Sequence, residues 1–354
     1  MSTARPTPAA PSPTETRNFR RDGVTSPPPV VFKQGIHVRG TELWLDATRA
    51  RDLAFVSHAH MDHVARHARI IATAPTARLC RERLGIRDAL TVPYRQPFAL
   101  GELTLELHPA GHVLGSAQLL VRLPASLGGL TVGYTGDFSP YPSRTAEAAA
   151  PLKCDVLVIE ATFGLPRYVF PPKDEVMAGM AAFADETIAA GGTPVFLAYP
   201  LGKSQEVAKR LLEAGYRVRA HASVWENCKI YEEHGVAFHG LHKFTDGARR
   251  GEVLVFPHQA RKTRAMLKVN DPRFAAVTGW AIDSGAKYRF KVDAAFPLSD
   301  HADFPGLVRA VEESGARKVY VVHGFVDEFV AAIRHLGFDA APLKLPAREQ
   351  LELF

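Results

Sequence analysis

The side chains best suited to chemistry lie in one short stretch, residues 57–63, which reads Ser-His-Ala-His-Met-Asp-His. Zinc, manganese and iron all accept imidazole and carboxylate ligands, and the absence of cysteine from the stretch argues against a purely structural zinc site. The apolar run 53–56 directly before it predicts a buried strand. If the backbone stays extended beyond that strand, His58 and His60 point to the same side and can bind one cation.

The second half of this stretch predicts another metal position close by. A helix that begins near Met61 would turn Asp62 and His63 away from the first two imidazoles. The alternative is a solvated, histidine-rich loop at the end of a strand. We favour metal binding, because neutral histidine is so common a metal ligand and three of them lie together here.

Length and composition indicate a large globular protein. The chain has 354 residues, of which 46% are hydrophobic and 23% charged, proportions that are ordinary for a folded domain or two. Its apolar runs are shorter than the roughly 20 residues of a membrane helix, so we expect no membrane association. Residues 1–16 are rich in Pro, Ala, Ser and Thr and lack the pattern of a signal peptide, which predicts a disordered tail.

Cysteine content and charge suggest where the protein works and what it binds. The three cysteines, Cys80, Cys154 and Cys228, are far apart and odd in number, which favours a reducing cytoplasm and no disulfide framework. The formal charge of +6 is mild, and it is compatible with a polyanionic partner.

The hydrophobic pattern predicts an α/β protein in which strands and helices alternate. Strands are expected at 36–38 and 43–45, which would form a hairpin, and at 53–56, 70–73, 118–123, 130–134, 156–159, 194–199, 216–220, 253–256, 274–279, 318–322 and near 342–345, with two more paired between 98 and 109. Helices are expected at 76–84, 175–190, from about 200 to 213, 304–314 and 326–336. Between 175 and 290 the alternation resembles a separately wound α/β unit.

Histidine, aspartate and glutamate, the side chains that commonly bind metals, recur where predicted strands end. The strand ending at 45 leads into Asp46, that at 134 into Thr-Gly-Asp137, that at 159 into Glu160 and that at 322 into His323. Two further histidines lie in loops, His112 in the glycine-flanked run 111–115 and His301 in a Ser-x-His-x-Asp loop. Open α/β sheets place their sites at the carboxyl edge of the strands, so we expect these residues to converge. Asp46 is either a simple turn carboxylate or a group that orients a ligand histidine.

Taken in order, these residues resemble the signature of the metallo-β-lactamase fold: His-x-His-x-Asp-His, a later lone His, a later Asp and a final His. In this chain the signature consists of His58, His60, Asp62, His63, His112, Asp137 and His323. The unit at 175–290 resembles the β-CASP domain of nucleic-acid-processing members. Glu160 and His301 match two more family positions, and the run 200–206 resembles Leu-Gly-Arg-x-Gln-Glu, with Lys203 in place of the usual Arg. Within the family, the chain is most similar to bacterial ligase-associated DNA exonucleases.

The resemblance implies an αββα sandwich formed by 17–174 and 291–354, with the β-CASP domain inserted as 175–290. It also implies two divalent cations, zinc or alternatively manganese, which together stabilise an in-line phosphoryl displacement and make hydroxide available at neutral pH. The ligands would be His58, His60 and His112 for the first cation, Asp62, His63 and His323 for the second, and Asp137 between them. The candidate catalytic residues are Asp62, Glu160, His301 and Asp46. Asp46 would orient a ligand histidine, and Glu160 would fix His301 for phosphate binding or for protonation of the leaving oxygen.

Contacts to nucleic acid are predicted on weaker signals. Lys203 at a helix start is a candidate phosphate contact, although the helix could equally be an ordinary one. Arg261, Lys262 and Arg264 could follow a phosphate backbone or belong to a solvated basic surface. For the aromatic residues Trp280 and Tyr288 we favour core packing over stacking on bases.

The leading functional hypothesis is a cytoplasmic, metal-dependent DNA exonuclease that processes DNA ends in repair, with a DNA ligase or helicase as the partner implied by the resemblance. The alternative is an RNA 3′-end-processing ribonuclease of the same family, since RNA-processing members keep the last histidine that eukaryotic DNA-repair members typically lack. A small-molecule ester or lactam hydrolase does not need the inserted unit. A catalytically dead nucleic-acid-binding scaffold would not need the complete ligand set.

Overall fold

The structure, a computed structural model, describes residues 27–343, so the tail predicted at 1–16 lies outside the described residues. Its strands form three sheets. Across residues 27–343, none of the helices combines the length and apolar character that crossing a lipid bilayer requires.

The first sheet is six-stranded, with the strands in chain order. They are β1 (Val30–Phe32), β2 (Ile36–Val38), β3 (Trp44–Leu45), β4 (Leu53–Phe55), β5 (Arg69–Ala72) and β6 (Ala89–Thr91). Strands β1 to β3 are antiparallel, which confirms the predicted hairpin of β2 and β3, and β3 to β6 are parallel. The parallel part sends the chain from the end of β4 directly into the histidine-rich stretch.

The next five strands begin a second sheet. They are β7 (Phe98–Leu100), β8 (Leu103–Pro109), β9 (Ala117–Arg122), β10 (Thr131–Tyr134) and β11 (Val156–Ala161). One hydrophobic cluster contains side chains of both sheets, such as Phe55 and Ile71 from the first and Leu107, Leu119 and Val158 from the second. The two sheets are therefore held together by the burial of apolar surface, which stabilises a fold by about 25 cal/mol for each Å² removed from water.

The chain then forms a third sheet before it returns to the second. The third sheet contains β12 (Thr193–Leu197), β13 (Arg217–Ala220), β14 (His242–Lys243), β15 (Glu252–Phe256), β16 (Pro272–Val277) and β17 (Ala294–Phe296), all parallel. Strands β18 (Lys318–Gly324) and β19 (Ala340–Pro342) join the second sheet, with β18 placed between β11 and β19. Residues far apart in the sequence thus supply neighbouring strands.

Seven α-helices lie within residues 27–343. They are α1 (Ala74–Leu84), α2 (Lys173–Ala189), α3 (Lys203–Glu213), α4 (Ala222–Glu233), α5 (Ala286–Phe290), α6 (Phe304–Ser314) and α7 (Val326–His335). Short 3-10 turns occupy Ala125–Leu127, His258–Lys262, Met266–Lys268 and Gly279–Ile282. Helix α1 packs against the first sheet through Leu79 and Ile70, and α6 and α7 pack against the second through Leu307 and Phe329.

Most predicted elements are confirmed to within a few residues, but some were missed. The hydrophobic pattern did not predict β1, β6, β14, β17, α4 or α5. Helix α4 is preceded by His221, whose Nδ1 accepts a hydrogen bond from the backbone N–H of Ser223. Histidine is not among the usual N-cap residues, which explains why the start signal of this helix is hard to read.

The helix expected near Met61 is wrong. The chain makes a single turn there, in which the N–H of His63 donates to the carbonyl of His60 at 3.1 Å. A few residues later Nδ1 of His67 lies 3.1 Å from the backbone nitrogen of Arg51 and Nε2 lies 3.2 Å from that of Ala65, and whichever of the two ring nitrogens is unprotonated accepts a hydrogen bond. These bonds satisfy the backbone locally, and β5 begins at residue 69, which leaves no room for a helix.

A close backbone approach brings β18 against β11 at the end where the candidate residues lie. The register between them shifts at Glu160 and Ala161, and Gly324 adopts φ +69°. A Cβ added at Gly324 would overlap the backbone carbonyl of Ala161. Glycine at this position therefore lets the strand ends that carry Glu160 and His323 lie side by side.

We expect Gly324→Ala to destabilise the protein more than Gly315→Ala. Gly315 has a similar φ of +65°, but a Cβ added there would have no atom within 4 Å, so its substitution costs only the left-handed backbone penalty of about 1–2 kcal/mol. Gly324→Ala adds an overlap with backbone atoms that must move. Urea unfolding of both variants measures the difference, and equal losses of unfolding free energy would contradict the close-approach explanation.

Candidate metal centre

Four imidazoles surround one carboxylate oxygen at the carboxyl ends of β4 and β10. Oδ2 of Asp137 lies 3.3 Å from Nε2 of His63, 3.6 Å from Nε2 of His58 and 3.8 Å from Nε2 of His112. His60 joins the cluster through its Nδ1, which lies 3.1 Å from Nε2 of His112. All five side chains are buried. The histidines of the 57–63 stretch thus lie together with His112 and Asp137, two of the residues predicted to converge.

The hydrogen bonds of Ser57 fix which nitrogen of His58 carries the proton. The Ser57 hydroxyl donates to Oδ2 of Asp46, so its oxygen accepts from Nδ1 of His58 at 3.0 Å. The Nε2 atom of His58 then holds a lone pair. This nitrogen is buried and has no hydrogen-bond partner among the described residues, and it faces Asp137.

Backbone carbonyls likewise determine which ring nitrogen carries the proton in His60 and His112. Nε2 of His60 donates to the carbonyl of Leu201 at 3.1 Å, and Nδ1 of His112 donates to the carbonyl of Asp300 at 2.8 Å. Because a carbonyl can only accept, Nδ1 of His60 and Nε2 of His112 carry lone pairs. These two lone pairs face each other at 3.1 Å, an arrangement that repels unless a cation lies between them.

The donor atoms therefore fit a divalent cation. One donor atom from each of His58, His60, His112 and Asp137 lies within 4.8 Å of the others. In a tetrahedral site with metal–nitrogen distances of about 2.0–2.1 Å, ligand atoms are about 3.3 Å apart, similar to the shorter distances here. Burial lowers the pKa of all three histidines, and the neutral imidazole is the form that binds a metal.

The residues predicted for a second cation are less closely gathered. His63 lies beside Asp137, but its Nε2 is 4.0 Å from Oδ2 of Asp62, and the Asp62 side chain is 80% exposed. The ring of His323 lies 5.3 Å from that of His63 and is exposed. Asp62 and His323 both line the same cavity as the buried cluster, so the residues predicted for a second cation face the solvent more than that cluster does.

One buried carboxylate, Asp46, orients residues predicted for each of the two cations. It accepts hydrogen bonds from the N–H and hydroxyl of Ser57, from Nδ1 of His63 at 2.8 Å and from the hydroxyl of Tyr134 at 2.8 Å. Its backbone has φ +45°, a conformation that aspartate tolerates better than most residues. Asp46 thereby orients His63 directly and His58 through Ser57, whereas a simple turn carboxylate would make no such contacts.

Glu160 and His301 form the pair that the sequence predicts. Nδ1 of His301 lies 2.9 Å from Oε1 of Glu160, and the same carboxylate accepts from the N–H groups of Phe138 and Thr162. Burial opposes protonation of the imidazole, but Glu160 and Asp137 outweigh it and raise the pKa of His301 to about 9. The ring of His301 lies 4.5 Å from that of His112 and so borders the metal-type cluster of His58, His60, His112 and Asp137. The Nε2 atom of His301 remains able to contact another group.

A cavity of about 590 Å³ opens above this cluster. Its lining includes Lys203, but the Lys203 ammonium pairs with the carboxylate of Asp300. Burial alone would raise the pKa of that carboxyl, and Lys203 lowers it instead. Because the carbonyl of Asp300 holds His112, Lys203 supports the cluster through this loop.

The other residues predicted to contact nucleic acid are not among those that line the cavity. Arg261 lies over the ring of Phe274 at 4.4 Å and donates to the carbonyl of Phe290, while Lys262 and Arg264 are exposed. The preference for core packing is wrong for Tyr288, which is 80% exposed.

For Trp280 the preference for core packing is also wrong, because the side chain is 37% exposed and lines the cavity. Sequence reasoning missed two further lining residues, Tyr199 and His258. Each follows a strand of the third sheet by two residues, which is the same strand-end signal that identified the other candidates.

Comparison with known proteins supports the resemblance. No family model matches the chain. It is 42% identical over 316 residues to a protein of Opitutus terrae named "Probable DNA ligase", covering 88% of this chain and 30% of that protein. It is 28% identical over 184 residues to an RNase J-like protein of Methanocaldococcus jannaschii, covering 45% of this chain and 43% of that protein.

The chain thus spans less than half the length of these curated relatives. A crystal structure of a protein of unknown function from Enterococcus faecalis V583 has a TM-score of 0.55 at 13% identity, with 78% of this chain and 76% of that chain covered. At this identity the likeness concerns the fold alone. The resemblance to β-CASP-type nucleases is confirmed by the relatives.

We expect Asp46→Asn to weaken metal binding by about 10- to 100-fold, the usual effect of removing a carboxylate that orients a ligand histidine. Asparagine keeps the shape and tolerates the positive φ, but it removes the charge that His63 and Ser57 contact. Tyr134→Phe is the matched control, because it deletes one donor to the same carboxylate. Competition with a chromogenic chelator measures affinity, and an unchanged affinity in folded Asp46→Asn would contradict the orienting role.

Proposed function

We propose, from the kinship of this chain with the β-CASP nucleases, that it is a metal-dependent phosphodiesterase that degrades DNA from an end. The single observation that carries the proposal is the convergence of His58, His60, His112 and Asp137 beside the Glu160–His301 pair in one open cavity. Such a site combines groups for binding cations with a positioned imidazole. The relative from Opitutus terrae is named as a DNA ligase, which favours DNA as the polymer.

We infer the architecture of the family from the layers of the fold. The helix–sheet–sheet–helix order of α1, the first sheet, the second sheet, and α6 with α7 supports an αββα sandwich formed by the described residues on either side of the third-sheet unit. The separate parallel sheet of β12 to β17 supports an inserted β-CASP domain. The resemblance implies residues 175–290 for it, and the last strand of the sheet, β17, lies a few residues beyond that end. The insert supplies one wall of the cavity through the loops that follow β12, β15 and β16.

We propose two cation positions, for zinc or alternatively manganese. Residues His58, His60, His112 and Asp137 would hold the first, and Asp137 with Asp62, His63 and His323 the second. Cations at these positions would supply Lewis-acid stabilisation of phosphate oxygens and lower the pKa of water. The chain itself contributes the orientation of the imidazoles, through Asp46, Ser57 and the two backbone carbonyls, before any substrate arrives.

His301 is the residue proposed to act on the substrate directly. Glu160 holds its Nδ1, so the imidazole presents Nε2 to the cavity. From there it can bind a non-bridging oxygen of the phosphodiester or donate a proton to the departing oxygen. Its ring contact with His112 keeps this group next to the proposed cation positions, which is where the phosphodiester must lie.

An RNA-processing nuclease is the second candidate, because a relative is named as RNase J-like. A small-molecule hydrolase fits less well, since the insert extends one wall of the cavity over an open site.

The proposed partner is a DNA ligase acting on the same ends, as the similarity to a longer ligase protein suggests. A cytoplasmic location stays a prediction from the sequence.

The purified protein should hydrolyse end-labelled DNA, and chelation should abolish this activity because the cluster can no longer hold cations. Zinc or manganese should restore it. Matched single- and double-stranded DNA and RNA oligomers, followed on denaturing gels, distinguish the two candidate substrates. His58→Ala should remain folded by circular dichroism but lose bound metal and hydrolysis. Faster cleavage of RNA than of the matched DNA would make the second candidate the function, and full activity of His58→Ala would contradict the metal site.

His301→Ala should keep its metal but lose about 10²–10⁴-fold in turnover, the usual contribution of a positioned acid or base. His258→Ala is the matched control, because this imidazole lines the same cavity but lies outside the Glu160–His301 pair. A nitrophenyl phosphodiester needs little protonation of its leaving group. The variant should lose far less activity on that substrate if His301 is an acid, and equally much if it only binds phosphate. Loss of metal in His301→Ala would instead make the residue a ligand.

A further inference from the structure

The indole of Trp280 forms part of the wall of the candidate active-site cavity. It is 37% exposed, although its neighbours are mostly buried aromatic rings. The other two tryptophans, Trp44 and Trp225, do not line the cavity. Trp44 packs between His37 and Arg51, and Trp225 lies near two lysines on the insert. Trp280 is therefore the tryptophan whose indole is open to the cavity.

The backbone of Trp280 is held on both sides. Its N–H donates to the hydroxyl of Thr278 at 3.4 Å, and its carbonyl accepts from Nη2 of Arg289 at 2.6 Å. The preceding residue is Gly279, where an added Cβ would lie 2.5 Å from the ring of Phe163. Glycine thus lets Phe163 pack directly against this turn, which sets the position of the indole relative to the rest of the cavity.

Aromatic rings support the side of the indole that faces away from solvent. The ring centroid of Phe163 lies 4.6 Å from that of Trp280, and those of Tyr168 and Phe325 lie at 5.7 and 6.3 Å. Phe163 is also 6.0 Å from His301. The indole is therefore two ring contacts away from the imidazole that is proposed to act on the phosphodiester.

We propose that Trp280 is the platform of a nucleobase-binding subsite, on which the base next to the scissile phosphodiester stacks. The inference rests on the proposed function and names the part of the substrate that this subsite contacts. Stacking of a base on an aromatic side chain is available to every base, because each has a π-face. The subsite would thus require that a base be present and would be indifferent to which base it is.

Trp280 is a better platform than the other rings of the cavity. The ring of Tyr199 lies 4.9 Å from that of His60, edge to face, so it covers a candidate ligand. The ring centroid of Phe290 lies 5.8 Å from that of His258, so His258 covers part of the Phe290 ring. Trp280 has the largest ring, and its ring contacts are with phenylalanine and tyrosine side chains. Its substitution therefore leaves the metal-type cluster untouched.

Binding can be tested without hydrolysis by tryptophan fluorescence. Metal-free protein is titrated with single-stranded oligothymidylate and with the same oligomer carrying abasic residues at both ends. Stacking should quench the fluorescence of the protein with the first oligomer much more than with the second. The quenching should persist in Trp225→Phe and disappear in Trp280→Phe, since only the latter removes the indole that faces the cavity.

Hydrolysis of the same two oligomers, in the presence of metal, tests the subsite in turnover. Removal of the terminal bases should lower kcat/KM of the unsubstituted protein by about 5- to 150-fold, the equivalent of one stacked base. Trp280→Ala should lower kcat/KM to that extent on the base-bearing oligomer and change it little on the abasic one. Trp280→Phe should retain most of the preference. Tyr288→Ala, which removes an exposed ring outside the cavity lining, is the matched control.

Each outcome decides the proposal. Equal losses on both oligomers in Trp280→Ala, or equal rates of the unsubstituted protein on both, would overturn the subsite while the proposed nuclease activity stands. Base-dependent quenching at Trp280 without any hydrolysis would support the subsite and overturn the proposed reaction. Absence of both quenching and hydrolysis would overturn both.

Discussion

The site depends on one electrostatic constraint, the convergence of buried lone pairs beside the Asp137 carboxylate. Unpaired polar nitrogens cost free energy when they are removed from water. Here the described hydrogen bonds hold the remote nitrogen of each imidazole, while the inward nitrogens of His58, His60 and His112 keep lone pairs and that of His63 lies 3.3 Å from Oδ2 of Asp137. Ser57, Leu201, Asp300 and Asp46 provide those bonds. The nitrogens that face inward are thus aligned by the protein before any cation binds, and their common point is where a positive charge is stabilised.

This constraint links parts of the fold that would otherwise be separate. Two of the four supporting groups are backbone carbonyls on loops that flank the third sheet, Leu201 before α3 and Asp300 after β17. The candidate ligand residues themselves follow strands of the first two sheets. The Lys203–Asp300 pair then connects the start of α3 with the loop that holds His112. A rearrangement of the insert would consequently move the imidazoles as well as the cavity wall.

Much of this arrangement can be predicted from the sequence, and the reasons for the failures are physical. The strand-end pattern identified His58, Asp137 and Glu160, because parallel strands bring their carboxyl ends to one edge. It could not predict that main-chain carbonyls hold two of the imidazoles, since any residue can supply a carbonyl. The sequence also could not predict that Lys203 pairs with Asp300, which lies almost a hundred residues away. The turn at residue 61 was missed for another reason: local hydrogen bonds formed there in place of a helix.

The position of β18 has a consequence for how the chain folds during synthesis. Its pairing partner β11 ends at residue 161, while β18 begins at residue 318, so the ribosome must add the whole third-sheet unit before the second sheet can be completed. Until then β11 presents an unpaired, largely apolar edge of the kind that promotes association between chains. Loop closure over such a distance also slows folding. The nascent chain is therefore exposed to association with other chains until β18 has been synthesised.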